Sequence, residues 1–483
     1  MFTTLLLVKN LAPIFKLLQI LMQNSKLFYL FQSIRGDDIR RLRKFLHSPY
    51  FNSREDVIRL FEYLHANEDE GALLTKQAAF AYVYPDTPYD DGRMNAVMHF
   101  LFKLLKQFLV QRESEDHSTQ LHLTRALRKR KLNRLFEPEV KRWRKQLEEA
   151  DIRNAHYHYQ RYQYQLEQYE YEHRQRRSGR MNVQEITEAL TTYYLADILR
   201  HGCTILTAKK VSQEAYELGL MEEVLDYLDR TKTEHPPAVA LYRQAYLALS
   251  SPEVPGHFPE FLQLIESYWQ QFPVPEARDL YLLAINYCIQ KLNRGEKVYV
   301  RQALELYQQA LGHHLLIEDG VLSNFTYNNI LMLAIGLEEW VWARQFLKDY
   351  RKALPAMGRE NLYRYNLAIL YFRQEAYAEA MELLRSVTFP DILYNLNART
   401  MLLRAYYELE EQDALYSLLD SFEAYIRRQK DMGYHRSHYQ ALLQFTRKLL
   451  SLPEGDQESK TKLKAEIESA PATAERAWLL SKL

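Results

Sequence analysis

Residues 361–397 read NLYRYNLAILYFRQEAYAEAMELLRSVTFPDILYNLN and contain two segments of helical spacing separated by a short polar stretch. Ala368 and Ala380 lie twelve residues apart, and the bulky Tyr377 lies between them. Two antiparallel helices joined by a tight turn need small side chains where their backbones approach, and a large side chain fills the gap beside the turn. The segment therefore predicts one helical hairpin.

The same pattern recurs on both sides of this hairpin at an interval of 37 residues. Three columns follow it: Leu331, Ala368 and Ala405; Ala343, Ala380 and Ser417; Trp340, Tyr377 and Ala414. Further upstream, Ala284 and Ala303 are 19 residues apart, so seven extra residues must be looped out near Gly295. A fixed period of this length is typical of stacked supersecondary units. The sequence therefore predicts an all-α array of stacked helical hairpins, an α-solenoid.

These residues resemble the tetratricopeptide repeat, in which small residues, aromatic residues and a proline recur at fixed positions. The matching residues of unit 361–397 are Leu367, Ala368, Tyr371, Tyr377, Ala380, Leu384 and Pro390. The resemblance covers roughly residues 240–434, with a period of 37 against about 34 in the family. Leu331 and Glu408 depart from the family pattern. Separately, SPYFN at 48–52 and its surroundings resemble uncharacterised helical proteins of Bacteroidetes bacteria.

The resemblance implies a noncatalytic scaffold that holds a protein or peptide partner in a concave groove lined by the first helix of each unit. Tyr and Arg are favoured among the groove residues because they combine contact area with directional hydrogen bonds. The residues that the resemblance assigns to partner binding are Asn328, Tyr365, Arg373, Arg399 and Tyr406. Arg373 and Arg399 favour an extended acidic peptide or a C-terminal carboxylate as the ligand.

Upstream of the array, residues 118–180 contain almost no Gly or Pro. Nothing from Pro138 to about Arg177 stops a helix, so we expect one rod about 60 Å long. Tyrosines seven residues apart, such as Tyr164 and Tyr171, predict a seam packed on a neighbouring element. The expected domain plan has the following segments: a misassigned start or amphipathic segment at 1–25, a compact helical domain at 26–117, the long basic helical segment at 118–180, a helical connector at 181–240, the repeat array at 241–452, and a capping helix or tail at 453–483.

The charge of the chain is unevenly distributed. Residues 122–180 contain sixteen Lys or Arg and eight Asp or Glu, a net charge of +8, so the rest of the chain carries −7. The densest cluster predicts an alternative function, binding of nucleic acid, because cations neutralise phosphates and tyrosines stack on bases: Arg128, Lys129, Arg130, Lys131 and Arg134. The opposing interpretation is that these arginines solvate the helix or pair with acidic residues of the same molecule.

The first 22 residues, MFTTLLLVKNLAPIFKLLQILM, have three interpretations. Lys9 and Lys16 interrupt the apolar run, so no span of about 20 apolar residues exists. The charge order and the absence of a small-residue cleavage site do not fit a signal peptide. A misassigned start with Met22 as the true beginning, a helix packed on the fold, and a membrane or export segment all remain open.

Composition argues against catalysis. Gly is scarce, at 14 of 483 residues, and the phosphate-loop, dinucleotide, zinc-protease and nucleophile-elbow motifs are absent from the sequence. The two cysteines, Cys203 and Cys288, form no metal-binding pair. His156 and His158 point to nearly opposite faces of a helix, and His435 and His438 have no evident carboxylate partner. We therefore expect no enzyme activity, no cofactor, no metal site and no integral membrane span, and we expect a cytoplasmic location. The identity of the partner and the oligomeric state stay open.

Overall fold

The structure is a computed structural model, and it describes most of the chain. The described residues are 22–67, 74–117, 119–175, 179–211, 215–231, 234–389, 391–429, 432, 435–453 and 455–483. They form 23 α-helices and one two-stranded hairpin, which confirms the all-α prediction. The sequence interpretation of residues 1–21 and the matched Pro390 lie outside the described residues.

The chain divides into two compact units. Unit 1 comprises residues 1–148 and 163–182, and unit 2 comprises residues 149–162 and 183–483. The helices assigned wholly or partly to unit 1 are α1 (Lys26–Gln32), α2 (Asp37–His47), α3 (Glu55–Ala66), α4 (Lys76–Val83), α5 (Asp91–His117), α6 (Thr119–Lys129), α7 (Asn133–Glu148) and α8 (Ala155–Gln175). Helix α8 begins among the residues of unit 2 and continues into unit 1 from Gln163. The domain limits expected from the sequence stay a prediction.

The SPYFN segment of unit 1 forms the tight connection between α2 and α3. Asn52 is buried there, and its side-chain amide donates to the carbonyl oxygens of Leu46 (2.9 Å) and Arg54 (3.1 Å) while its own oxygen accepts from the Arg54 amide (3.0 Å). Phe51 stacks on Phe45 with ring centroids 4.2 Å apart. Because one buried amide satisfies three backbone groups, the turn is fixed without glycine.

The single rod expected from Pro138 to about Arg177 is divided into α7 and α8, and α6 precedes them. Lys131 adopts a left-handed conformation (φ 59°) that ends α6, and Asn154 begins α8 by accepting the Tyr157 amide at 3.2 Å. Pro138 lies inside α7 and does not start a helix. The tyrosine seam is confirmed: Tyr171 stacks on Phe136 at 4.2 Å and Tyr164 packs edge-on against Trp143 at 5.6 Å. The sequence pattern identified the packed face but missed the break between α7 and α8.

Unit 2 continues the chain as successive helices. These are α9 (Val183–Val211), α10 (Met221–Arg230), α11 (Pro237–Ser250), α12 (His257–Tyr268), α13 (Val274–Asn293), α14 (Tyr299–Gly312), α15 (Asn324–Gly336), α16 (Trp340–Asp349), α17 (Arg359–Arg373), α18 (Tyr377–Leu384), α19 (Ile392–Glu408), α20 (Gln412–Arg428), α21 (His435–Leu450), α22 (Gln457–Ser469) and α23 (Arg476–Ser481). Between α14 and α15, strands β1 (Ile317–Glu318) and β2 (Val321–Leu322) pair antiparallel, with Ile317 opposite Leu322.

Helices of unit 2 pack mainly against their sequence neighbours, and several also contact the helix two positions away. Contacts of the second kind join α9 to α11, α11 to α13, α15 to α17, and α17 to α19. The same alternation places first helices beside first helices in stacked hairpins. Unit 2 is therefore compatible with a helical repeat fold.

Three hairpins of unit 2 share one turn geometry. The helices α15–α16, α17–α18 and α19–α20 are joined through Glu338, Glu375 and Glu410, whose φ angles are 57°, 61° and 58°. In each turn the next amide donates to the carbonyl five residues back, at 2.9, 3.0 and 2.9 Å. This is the hydrogen bond of a helix end closed by a left-handed residue. The turn glutamates are spaced by 37 and then by 35 residues, so the last unit is two residues shorter.

The shorter interval corrects part of the predicted columns. Leu415 is buried at the position that Ala343 and Ala380 occupy in the preceding hairpins, whereas Ser417 is exposed. The prediction that Ser417 continues the small-residue column is therefore wrong. Ala343, Ala368, Ala380 and Ala405 are all fully buried, as expected for residues at close backbone approaches.

Candidate functional site

A cavity of about 400 Å³ lies in the repeat region of unit 2, formed by the loop after α18, the first half of α19 and the last turn of α20. Its walls combine apolar side chains with cationic and amide groups. The residues that bear on its chemistry are Arg385, Phe389, Asn395, Arg399, Tyr425 and Gln429. A concave surface with a few converging polar groups is the usual form of a ligand site.

The loop at one wall of the cavity is held in place by Asn395. The Phe389 amide donates to the Asn395 side-chain oxygen at 3.0 Å, and the Asn395 amide nitrogen donates back to the Phe389 carbonyl at 2.6 Å. Asp391 caps α19 by accepting the backbone amides of Leu393 (2.7 Å) and Tyr394 (3.2 Å). Since side-chain hydrogen bonds tie the loop to the start of α19, this wall is preformed.

Arg399 supplies the main charge of the cavity. Its side chain is half-buried, and its guanidinium lies over the ring of Tyr425, 4.8 Å from the centroid. Among the residues that the structure describes, no Asp or Glu oxygen lies within 4.0 Å of the guanidinium. Burial lowers the pKa of Arg399 below its ordinary value, and the nearby Arg428 lowers it further. A partly desolvated cation without a counter-ion favours an incoming anion.

Arg385 is the second cation of the cavity, and Tyr406 holds it. The Arg385 Nε donates to the Tyr406 hydroxyl oxygen at 3.3 Å, and its Nη1 pairs with exposed Glu382 at 2.8 Å. Tyr406 itself is buried, so its role at the site is to orient Arg385. An exposed pair of this kind contributes little stability, and the guanidinium can exchange Glu382 for another carboxylate.

Tyr365 is also buried and packs behind the cavity wall. Its ring meets Phe389 at 5.4 Å and Tyr394 at 5.2 Å, both edge-on, and burial raises its pKa to about 12. The ring therefore supports Phe389, which lines the cavity, and does not face solvent. Truncation of Tyr365 disturbs the site only through this packing.

The remaining residues assigned to partner binding do not line the cavity. Arg373 is exposed at the last residue of α17, and Asn328 is half-buried in α15. Arg399, by contrast, lines the cavity and faces Tyr425 of α20, the hairpin partner of α19. The cavity therefore contains Arg399 and not Arg373.

The basic cluster of unit 1 splits into two kinds of side chain. Arg128 is buried (8% exposed), and its Nε donates to the Glu167 carboxylate at 2.7 Å while its Nη1 lies 3.4 Å from Glu170. Arg125 contacts the same Glu167 at 2.7 Å. Arg128 is therefore neutralised inside unit 1. The other four candidates are exposed around the turn between α6 and α7: Lys129, Arg130, Lys131 and Arg134.

Sequence reasoning missed Arg385, Asn395 and Tyr425. Asn395 follows Asp391 by one helical turn, and this spacing after a loop was an available signal for a capped and stapled helix start. Arg385 and Tyr425 carry no such signal, because Arg385 directly follows α18 and Tyr425 lies in α20, and the repeat pattern treats both helices as packing only. Their roles depend on the register of α19 against α20.

Other chemistry receives no support from the described residues. They contain no group of three or more His, Cys, Asp or Glu placed to hold a metal ion. Cys203 and Cys288 are buried free thiols, and burial raises the pKa of both, that of Cys288 to about 12, which makes them weak nucleophiles. In the part of the chain that the structure describes, each helix is either too short or too polar to cross a bilayer.

Comparison with protein-family models, with curated proteins and with solved structures returned no match to this chain.

Proposed function

We propose that this chain is a noncatalytic scaffold built on a tetratricopeptide-like array, and that it binds a peptide carboxylate of a partner protein in the cavity at Arg399. The observation that carries the proposal is the half-buried Arg399 guanidinium, which opens into the cavity without a described carboxylate beside it. The all-helical repeat arrangement of unit 2 supports it as a rigid holder of such a site. The cytoplasmic location stays a prediction.

The ligand chemistry follows from the shape and charge of the cavity. A guanidinium offers donors in a planar fork that matches a carboxylate, and Arg385 provides a second cation at the same wall. The apolar side chains of Phe389 and Leu402 also line the cavity and can pack against a hydrophobic residue next to the carboxylate of the ligand. We therefore expect a C-terminal carboxylate, or a Glu or Asp side chain flanked by an apolar residue.

A synthetic peptide library tests this proposal on the full chain. It contains free C-terminal acids, their amides, and internal Glu peptides with matched Gln versions. We expect the binding peptides to carry a carboxylate, and Arg399→Met to weaken them at least tenfold, since a charge-assisted hydrogen bond contributes about 1.5–3 kcal/mol. Arg373→Met is the matched control, because this exposed arginine lies outside the cavity. Binding that survives amidation and Arg399→Met contradicts the proposal.

A second candidate function is nucleic-acid binding by the exposed turn of unit 1. Four exposed cations within six residues favour it: Lys129, Arg130, Lys131 and Arg134. If the turn binds phosphates, affinity for a single-stranded oligonucleotide falls steeply between 50 and 200 mM salt, roughly tenfold or more. Charge reversal at Lys129 and Lys131 then abolishes binding and leaves peptide binding at Arg399 unchanged. An affinity that is independent of salt and of these lysines removes this candidate.

A further inference from the structure

The C-terminal segment of the chain lies against the last two turns of α19. Glu408, near the end of α19, accepts the indole N–H of Trp478 at 2.8 Å and the ammonium of Lys482 at 2.6 Å. Both carboxylate oxygens of Glu408 are therefore used by residues of one short segment. Arg404, one turn earlier on α19, pairs with Glu475 at 2.7 Å. Residues 475–482 thus bind α19 through three charged or polar contacts.

Aromatic rings complete this docking surface. Trp478 packs edge-on against Tyr407 with centroids 5.3 Å apart, and the Arg404 guanidinium lies over the indole at 5.5 Å. The same guanidinium lies 4.7 Å from the ring centroid of Phe372 in α17. We define the α19 docking surface as Phe372, Arg404, Tyr407 and Glu408. This surface contacts an indole, an ammonium group and a carboxylate, which belong to Trp478, Lys482 and Glu475.

The docking surface and residues 475–482 are complementary in charge and in hydrogen-bond donors and acceptors. Trp478 lies inside the short helix α23, and Glu475 and Lys482 flank that helix at its two ends. Burial raises the pKa of Glu408, but the hydrogen bonds from Lys482 and Trp478 outweigh it and hold the pKa below its ordinary value. The ionised carboxylate is therefore the form that holds the segment.

The occupant has little stability of its own. Helix α23 has six residues, and a helix of that length is not stable alone in water. Its preceding residue, Glu475, is held in the left-handed region (φ 54°, ψ 32°), which is unfavourable for a residue other than glycine. The helical form of α23 therefore depends on the elements that it contacts, which are α21 and α22 as well as the surface on α19, as for a peptide that folds on binding.

We propose that the α19 docking surface is a second interaction site, selective for a peptide of the pattern Glu-x-x-Trp-x-x-x-Lys in which Glu and Lys flank a short helix that carries Trp, and that the chain's own residues 475–482 occupy it as a displaceable competitor. The proposal is independent of the cavity at Arg399, because none of the four residues of this surface lines that cavity. A partner helix of the same pattern gains access when the segment leaves.

Binding of a fluorescent peptide to the full chain tests the proposal. The probe is a peptide of residues 470–483, APATAERAWLLSKL, and the readout is fluorescence anisotropy. The receptor variant is Trp478→Ala with Lys482→Ala, which weakens the internal competitor and leaves the docking surface intact. We expect this variant to bind the probe at least tenfold more tightly than the unmodified chain. Circular dichroism establishes that helix content is unchanged.

Two controls separate displaceable docking from simple capping. Glu408→Gln in the receptor variant weakens the probe at least tenfold, and a probe in which Trp478 is replaced by Ala does not bind. If the double variant loses helix content, Lys482→Ala alone replaces it, with an expected gain of about threefold. Equal binding by the variant and the unmodified chain, no binding by either, or binding that ignores Glu408→Gln overturns the proposal.

Discussion

The turn of unit 1 at Arg128 and the cavity of unit 2 at Arg399 contain the same cation in opposite settings. Arg128 is 8% exposed and meets a carboxylate that is itself 3% exposed, so its charge is compensated inside the protein. Arg399 is half-buried and faces an aromatic ring and a like charge, with no described carboxylate in reach. The difference teaches that burial of an arginine indicates a binding site only when its counter-ion is missing.

The largest effect is expected where the compensated pair is broken. Glu167→Gln leaves Arg128 buried without its counter-ion and also removes the Arg125 contact, so we expect a loss of about 3 kcal/mol in the free energy of unfolding. Chemical denaturation with hydrogen exchange of α6 measures the loss. Glu170→Gln is the control: this carboxylate is half exposed and 3.4 Å from Arg128, so its loss costs under about 1 kcal/mol. Equal losses of unfolding free energy in Glu167→Gln and Glu170→Gln would contradict the claim that the buried carboxylate compensates Arg128.

A smaller effect is expected when each arginine is replaced by an apolar side chain of similar length. Arg128→Met strands the Glu167 carboxylate beside Arg125 alone, and we expect a loss of about 2 kcal/mol. Arg399→Met removes a desolvated cation that has no described ion pair, so we expect a change within about 1 kcal/mol. Both variants are compared by the free energy of unfolding from denaturant titrations. A loss at Arg399 as large as that at Arg128 means that the cavity cation is compensated after all.

Arg404 is an intermediate case, since its carboxylate partner lies on the C-terminal segment. The neighbouring Glu408 has a pKa below its ordinary value in the docked state. The docking free energy from Glu408 is therefore fully present above the ordinary carboxyl pKa of about 4.3. It is lost as pH falls through the lowered pKa, because the protonated group no longer attracts Lys482.

The difference in fluorescence between the unmodified chain and Trp478→Phe reports this release during acid titration. We expect a transition below about pH 4 that disappears in Glu408→Gln. A transition of the same position and amplitude in Glu408→Gln shows that another group controls the segment. We expect a smaller loss of stability here than at Glu167 or Arg128, since the side chains of Lys482 and Glu408 remain partly exposed.

Much of the fold could be predicted from residue spacing. Buried Ala343, Ala368 and Ala380 and the packed tyrosines of α8 followed from periodicity, because periodicity records which face of a helix is covered. The 35-residue interval could not be predicted, because the turn that sets it depends on a left-handed Glu410, and glutamate carries no sequence signal for that conformation. The two-residue shift then misplaced Ser417.

Of the candidate site, the sequence allowed only the choice of Arg399 as a binding cation, and not the residues around it. Arg399 was among the residues chosen from the sequence, but its neighbours Arg385 and Tyr425 were not, because they reach the cavity from the end of α18 and from α20. Charge counting likewise grouped Arg128 with four exposed cations. Its partner Glu167 is 39 residues away and enters through the packing of α8 on the earlier helices of unit 1. Pairing over such distances is a property of the folded chain.

The state of the two guanidinium groups can be observed directly by nuclear magnetic resonance of arginine-labelled protein, with resonances assigned by Arg128→Met and Arg399→Met. The probe is N-acetylglutamate, added against sodium chloride of matched ionic strength. We expect a saturable shift of the Arg399 side-chain N–H signals and no shift of the Arg128 signals. An unchanged Arg399 signal, or equal shifts at both residues, would contradict this expectation.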